Sequence, residues 1–300
     1  MSAGPRPTIA EAIVGGEVGP LSQAIDARWL MAYAAGLGET DSRYYDTLAS
    51  GGPLAHPLFA VCYEWPVALL SRAKTIDAAL APLSVHATHD AVVHRPPRAG
   101  EILITSAKVV AVSRRRSGTL VTTRFTTVDE RGAPVTTTDY GSVYRGVDLG
   151  PAAHEPASGG GGLPRSDTPT SLGSRPPPDT DRVRWREVVA VSAQASHVYT
   201  ECARIWNPIH TDVAVAKAAG LPAPILHGTA TPALAVSRVV AHDLGGDPAR
   251  VRRIAARFTG MVLMPSTFIV RGLELRDGVI AFDAVSPDAR RVLSDSRLIA

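Results

Sequence analysis

The feature that most constrains this chain is that it repeats itself. The stretch IDARWLMAYAAGLGETDSRYYD in the first half and SAQASHVYTECARIWNPIHTD in the second are both amphipathic and end in a polar turn. Placing Tyr33 on Tyr199 puts Asp41 on Asn207, Tyr44 on His210 and Asp46 on Asp212 without a gap. A Gly/Pro-containing loop and a more apolar segment follow in each half, GPLAHPLFAVCYEWPVALLSR and APILHGTATPALAVSRVV. His56 then falls on His227, with five extra residues in the second loop. A chain built this way must fold twice around the same plan.

The composition marks where the copies divide. Residues 150–181 are rich in Gly, Pro and Ser and nearly empty of large apolar side chains, so they should form a flexible linker. That leaves residues 1–149 as an N-terminal repeat and 182–300 as a C-terminal one. After its apolar helix each half continues in Val/Ile/Thr-rich runs. PPRAG, RRRSG and ERGAP separate them in the first half, and MPST and RDG in the second. Strands joined by short turns imply an antiparallel sheet, and a nearly uncharged helix ahead of them should be wrapped by it. The expected class is α+β: a tandem, or double, hotdog with two central helices, each wrapped by an antiparallel sheet. Pairing the two sheets edge to edge would hide their open edges.

Bulk properties narrow the function classes. The 300 residues are 45% hydrophobic and 20% charged, with a formal net charge of +3. The one dense basic run, Arg114-Arg115-Arg116, precedes Ser117-Gly118 and reads as a turn, so no nucleic-acid partner is expected. No run of 18 apolar residues exists, so no membrane span is expected. The N-terminal residues lack the basic and apolar regions of a secretory signal, and two cysteines, Cys62 and Cys202, form neither a disulfide framework nor a zinc ligand set. The expectation is a cytoplasmic protein with no metal and no cofactor.

The candidate chemistry lies in WNPIHTD and PILHGT of the second half. Pro208 cannot continue a helix and disfavours helical backbone at Asn207, so His210 is presented from a turn. An imidazole there, beside Asn207, can act as acid and base near neutrality; alternatively it is a structural turn histidine. Gly228 opens an apolar helix, where unpaired N–H groups can stabilise a developing oxyanion; alternatively it only permits close packing. His227 shares its place with His56, which favours a structural role such as a hydrogen bond to a backbone carbonyl. Asp212 should cap the helix that follows.

NPIHTD followed by AGLPAPILHG, in that order and spacing, resembles the MaoC-like acyl-CoA dehydratases, the (R)-specific enoyl-CoA hydratase (hydratase 2) family. The resemblance covers both halves and implies a degenerate N-terminal repeat that shapes an acyl tunnel, with the site in the C-terminal repeat. It implies a hydro-lyase that adds water to a 2-enoyl thioester, His210, Asn207 and Gly228 as catalytic groups, and Ile205, Trp206, Pro224, His227 and Thr229 beside the substrate. The implied partner is an acyl-CoA or acyl-carrier thioester, with coenzyme A entering as substrate, and the assembly expected is a homodimer.

The chain departs from the family pattern at one position. The family motif, Ser-Gly-Asp-x-Asn-Pro-Leu-His, carries a catalytic Asp where this chain has Ile205. A carboxylate from elsewhere could substitute: Glu39, which maps onto Ile205, or Glu201, one helical turn before it. Otherwise His210 works alone, or the reaction is not hydration. The alternatives are a non-catalytic acyl-thioester-binding protein and an acyl-CoA thioesterase.

Overall fold

The computed structural model describes residues 6–150 and 182–300. The expected linker therefore lies outside the described residues, apart from Gly150. In the first half β2 (Glu17–Ala24) leads into α1 (Ala27–Gly36) and α2 (Ala60–Thr75), followed by β3 (Ser84–Val93), β4 (Ile102–Arg115), β5 (Gly118–Asp129) and β6 (Pro134–Arg145). A short parallel pair, β1 (Thr8–Ile9) and β7 (Asp148–Leu149), brackets this half. The second half runs β8 (Trp185–Val191), α3 (Ala195–Ala203), α4 (Val213–Ala218), α5 (Ala230–Asp243), β9 (Arg253–Phe258), β10 (Ser266–Arg276), β11 (Val279–Val285) and β12 (Arg291–Ile299).

One sheet of ten strands holds both halves, in the order β2-β4-β5-β6-β3-β9-β12-β11-β10-β8. The order reads as one five-strand unit and its rotated copy. The join is antiparallel, β3 against β9, with Asp90 opposite Ala255, and the Asp90 carboxylate accepts two hydrogen bonds from the Arg253 guanidinium at 2.8 Å each. Two would-be edges are thereby consumed in one ladder. This is the double hotdog expected from the sequence.

The copies also meet through their first helices, where equivalent residues touch. The Tyr33 and Tyr199 hydroxyls lie 3.3 Å apart. A Cβ on Gly36 would stand 2.8 Å from the Cβ of Cys202, closer than real side chains approach, so α1 and α3 need a residue without a side chain there. A single hydrophobic core runs through both halves, from Phe59 and Tyr63 of α2 to Val236 of α5 and Phe282 of β11. Burying each such side chain contributes roughly 1.5–3 kcal/mol. The sheet buries α5 along most of its length and α2 over residues 60–64.

Candidate active site

α3 stops at Ala203 because Arg204 adopts a left-handed conformation, φ 58° and ψ 37°. That backbone costs about 1–2 kcal/mol for a residue with a side chain. The Arg204 guanidinium offsets it by lying 4.1 Å over the Trp29 ring of α1, near the Asp26 carboxylate at 3.7 Å. The reversal turns Ile205 inward, 3% exposed, and leaves Trp206 outside at 59%. Asn207 follows in extended conformation, and Pro208–His210 form one 3-10 turn closed by the His210 N–H on the Asn207 carbonyl. Asp212 caps α4 as expected, accepting from the Ala214 and Val215 N–H groups.

His210 is fixed by one hydrogen bond. Its Nδ1 lies 2.9 Å from the Ile225 carbonyl oxygen, which can only accept, so Nδ1 carries the proton and Nε2 is the unprotonated nitrogen. Nε2 has no partner among the described residues. Burial depresses the His210 pKa to about 4, so the ring is neutral at pH 7. The His227 ring backs it at 3.8 Å between centroids, with Tyr199 behind at 5.1 Å. His227 Nε2 is 2.7 Å from the Thr200 hydroxyl, and burial first, then His210, lowers its pKa to about 2. The sequence favours a structural role for His227, of which a bond to a backbone carbonyl is one example. His210 holds it instead, because the turn brings its Nδ1 to Ile225 while His227 points at α3.

Gly228 precedes α5, whose first residue is Ala230 with Thr229 as N-cap. The Ala230 and Thr231 N–H groups close on the His227 carbonyl, whereas the Gly228 N–H has no partner among the described residues. An added Cβ on Gly228 would meet only the His86 side chain, at 3.5 Å, so packing does not demand this glycine. The Thr229 hydroxyl accepts from Tyr199 at 3.0 Å.

One cavity of about 500 Å³ gathers these groups. His210, Asn207, Gly228, Ile205, His227 and Thr229 all line it. Four residues singled out from the sequence do not. Pro224 is half-buried outside the lining, and Trp206 faces solvent. Glu201 is exposed on α3, whose Tyr199, Thr200 and Ala203 face inward. The i, i+4 relation that would have set Glu201 beside Ile205 fails because the helix ends at Ala203 and the left-handed Arg204 breaks the face. Glu39 also lies outside the lining; its carboxylate is 3.8 Å from His56 Nε2 in the first half.

The opposite wall comes from the first half and escaped the sequence reading. α2 presents Val61, Glu64, Trp65, Ala68 and Arg72 to the cavity. The signal was present as a stripe at helical spacing, but residues 60–64 of α2 are all buried and hide it. His86 of β3 is clamped between the Tyr140 ring at 3.8 Å and the Phe258 ring at 4.2 Å, with its Nδ1 buried and unpartnered. Among the described residues no group of three or more His, Cys, Asp or Glu could hold a metal ion, and no helix is long and apolar enough to cross a membrane.

Comparison with known proteins follows the same division. Residues 178–284 match the family model described as MaoC like domain, and residues 12–138 match the FAS1-like, dehydratase domain region. The fatty acid synthase beta subunit pkiC of Emericella nidulans is 36% identical over 104 residues, 34% of this chain and 5% of that one. The peroxisomal enoyl-CoA hydratase 2 of Arabidopsis thaliana is 41% identical over 64 residues, 21% of this chain and 21% of its own length. The chain thus spans about a fifth or less of these relatives. In fold, the crystal structure of a MaoC-like dehydratase from Phytophthora capsici superposes with a TM-score of 0.77 over 96% of both chains at 22% identity.

Proposed function

We propose that this chain, a MaoC-like double hotdog protein, is a hydro-lyase that reversibly adds water to a 2-enoyl thioester of the coenzyme A type, giving a 3-hydroxyacyl thioester. One observation carries the reading: an unprotonated imidazole nitrogen, His210 Nε2, and an unpartnered amide, Gly228 N–H, line the same cavity. The resemblance of the matched stretches to proteins named enoyl-CoA hydratase 2 supports it.

In this mechanism the thioester carbonyl accepts from the Gly228 N–H. His210 Nε2 takes a proton from water as its oxygen bonds to C3. The C2–C3 π electrons shift toward the carbonyl, and the enolate oxygen is stabilised by the Gly228 amide. The imidazolium then returns the proton to C2, so the ring ends as it began. Asn207, on the cavity wall beside His210, orients the water or the carbonyl. A neutral His210 suits the first step, and the hydrogen bond from its Nδ1 to Ile225 keeps the basic nitrogen toward the cavity.

A second reading, binding of an acyl thioester without turnover, is favoured by Ile205, a hydrocarbon where the family pattern has a carboxylate. The two separate in one assay with crotonyl-CoA and longer enoyl-CoAs. Loss of enoyl absorbance without free thiol is the outcome expected. Release of thiol would point to hydrolysis, and tight binding with unchanged absorbance to the second reading.

A further inference from the structure

α2 supplies the cavity with an otherwise apolar wall, and Glu64 sits in it. The residue is 3% exposed, flanked on the wall by Val61, Trp65 and Ala68. Its Oε1 accepts a hydrogen bond from the Thr138 hydroxyl at 2.6 Å, its one hydrogen bond among the described residues. Burial pushes its pKa up to about 8, so at neutral pH it is the uncharged acid. An uncharged carboxyl still carries an O–H donor and spare acceptor capacity. Leaving such groups unsatisfied in a buried site is costly. No side chain or carbonyl of the described residues meets that need, and the carboxyl borders the cavity. The complementary group therefore has to come from whatever fills the cavity.

We propose that Glu64 is a specificity determinant that reads a hydroxyl on the acyl portion of the substrate, so the preferred thioesters carry an oxygenated rather than a plain hydrocarbon chain. The inference rests on the acyl-thioester reading of this cavity. A hydroxyl is the group that fits, because it accepts from the acid O–H and can donate to a carboxyl oxygen without moving charge. A cation would require Glu64 to ionise among apolar neighbours, which burial opposes. A ligand carboxylate would be drawn to Arg72, two turns and about 12 Å further along the same face of α2. The Glu64–Thr138 bond couples α2 to β6 of the sheet, so the reading group is held by two packed elements.

Isothermal titration with saturated, unreactive acyl-CoAs tests this apart from catalysis. Plain chains from hexanoyl to dodecanoyl are compared with the same chains hydroxylated at successive carbons beyond C3, which leaves out the 3-hydroxyacyl product of the proposed reaction. At one position the hydroxylated chain should bind about tenfold more tightly than its plain counterpart. Glu64→Leu should erase that preference and tighten the plain chain. Thr138→Val, which keeps the volume but frees the carboxyl to rotate, should cut it about threefold and stands as the readout if Glu64→Leu does not fold. Equal affinity at every position, or a preference that survives these substitutions, overturns the proposal while leaving the thioester reading intact. Absence of binding by every acyl-CoA overturns both.

Discussion

Tyr44 and His210 occupy the same place in two copies of one motif, yet only one copy contains a usable space. Around His56 and Pro57 the first half leaves about 10 Å³, against about 500 Å³ around His210 and Gly228. The Tyr44 ring is buried and packs on His56 at 6.1 Å, and Pro57 removes the amide that Gly228 offers. His56 and Glu39 of the first half even meet Ser237 of α5, with His56 Nε2 at 3.2 Å from the serine oxygen and 3.8 Å from the carboxylate. The proton is on the wrong nitrogen for nucleophilic chemistry. His56 Nδ1 accepts from the Leu58 N–H, so Nε2 is the donor and cannot take the Ser237 proton, and burial lowers the His56 pKa to about 3. Duplication preserved the scaffold in both halves. Reactivity depends on hydrogen bonds left unmade, and the second half alone leaves His210 Nε2 and the Gly228 amide open to a cavity of substrate size.

Several substitutions would break or sharpen this contrast. His210→Ala should lower kcat for enoyl-CoA hydration by about 10²–10⁴-fold while the protein still unfolds in one cooperative transition, and a wild-type rate would remove the imidazole from the mechanism. Adding Tyr44→His and Pro57→Gly in that background should restore nothing, because the first copy has no room for a thioester; recovered turnover would show the halves to be interchangeable. Gly228→Pro, which deletes the amide, should cost about 10²-fold, whereas Gly228→Ala, which keeps it and meets His86 at ordinary contact distance, should stay within about threefold. Comparable losses in both would mean that packing, and not the amide, matters at this position.

Acid sensitivity is the next effect down. Burial depresses His56, His89, His210 and His227 to about 3, 4, 4 and 2. In the unfolded chain each titrates near ~6.5. Their contribution to stability is complete above that value and declines as pH falls toward 4, since the unfolded chain gains protons that the folded one refuses. Glu64 works in the opposite direction, losing its contribution as pH rises from its ordinary carboxylate range toward 8. Urea unfolding at pH 7 and pH 5 should show the acid loss, and His210→Gln should make it shallower; an unchanged slope would mean that His210 is hydrated rather than buried. The smallest effect concerns the seam between the copies. Tyr33→Phe removes the hydroxyl that meets Tyr199 and should lower stability by about 1 kcal/mol without touching turnover.

Much of the molecule was legible beforehand. The alignment paired Tyr33 with Tyr199, which the fold brings together at the seam, and the strand-and-turn rhythm anticipated an antiparallel sheet in each half. Asn207-Pro208 located the turn, and Asp212 located the next helix cap. Direction is what local sequence leaves open. Glu201 was placed beside Ile205 by counting along a helix that had already ended, because no sequence rule assigns a left-handed conformation to Arg204; the Trp29 ring of another helix stabilises it. Glu64 was passed over because it sits in residues 60–64, all buried, where no face stands out by periodicity.

Local sequence fixed the duplication, an apolar helix followed by strands in each copy, and which half carries an imidazole and a glycine at the motif positions. Those are local properties, set by backbone preferences and by the spacing of apolar residues. Only the tertiary structure decided which side of α2 borders the cavity, which nitrogen of His210 holds the proton, and that the first copy is filled while the second stays open. Each of these depends on partners far apart in the chain, and hydrogen bonding and burial act through space with no regard to sequence separation.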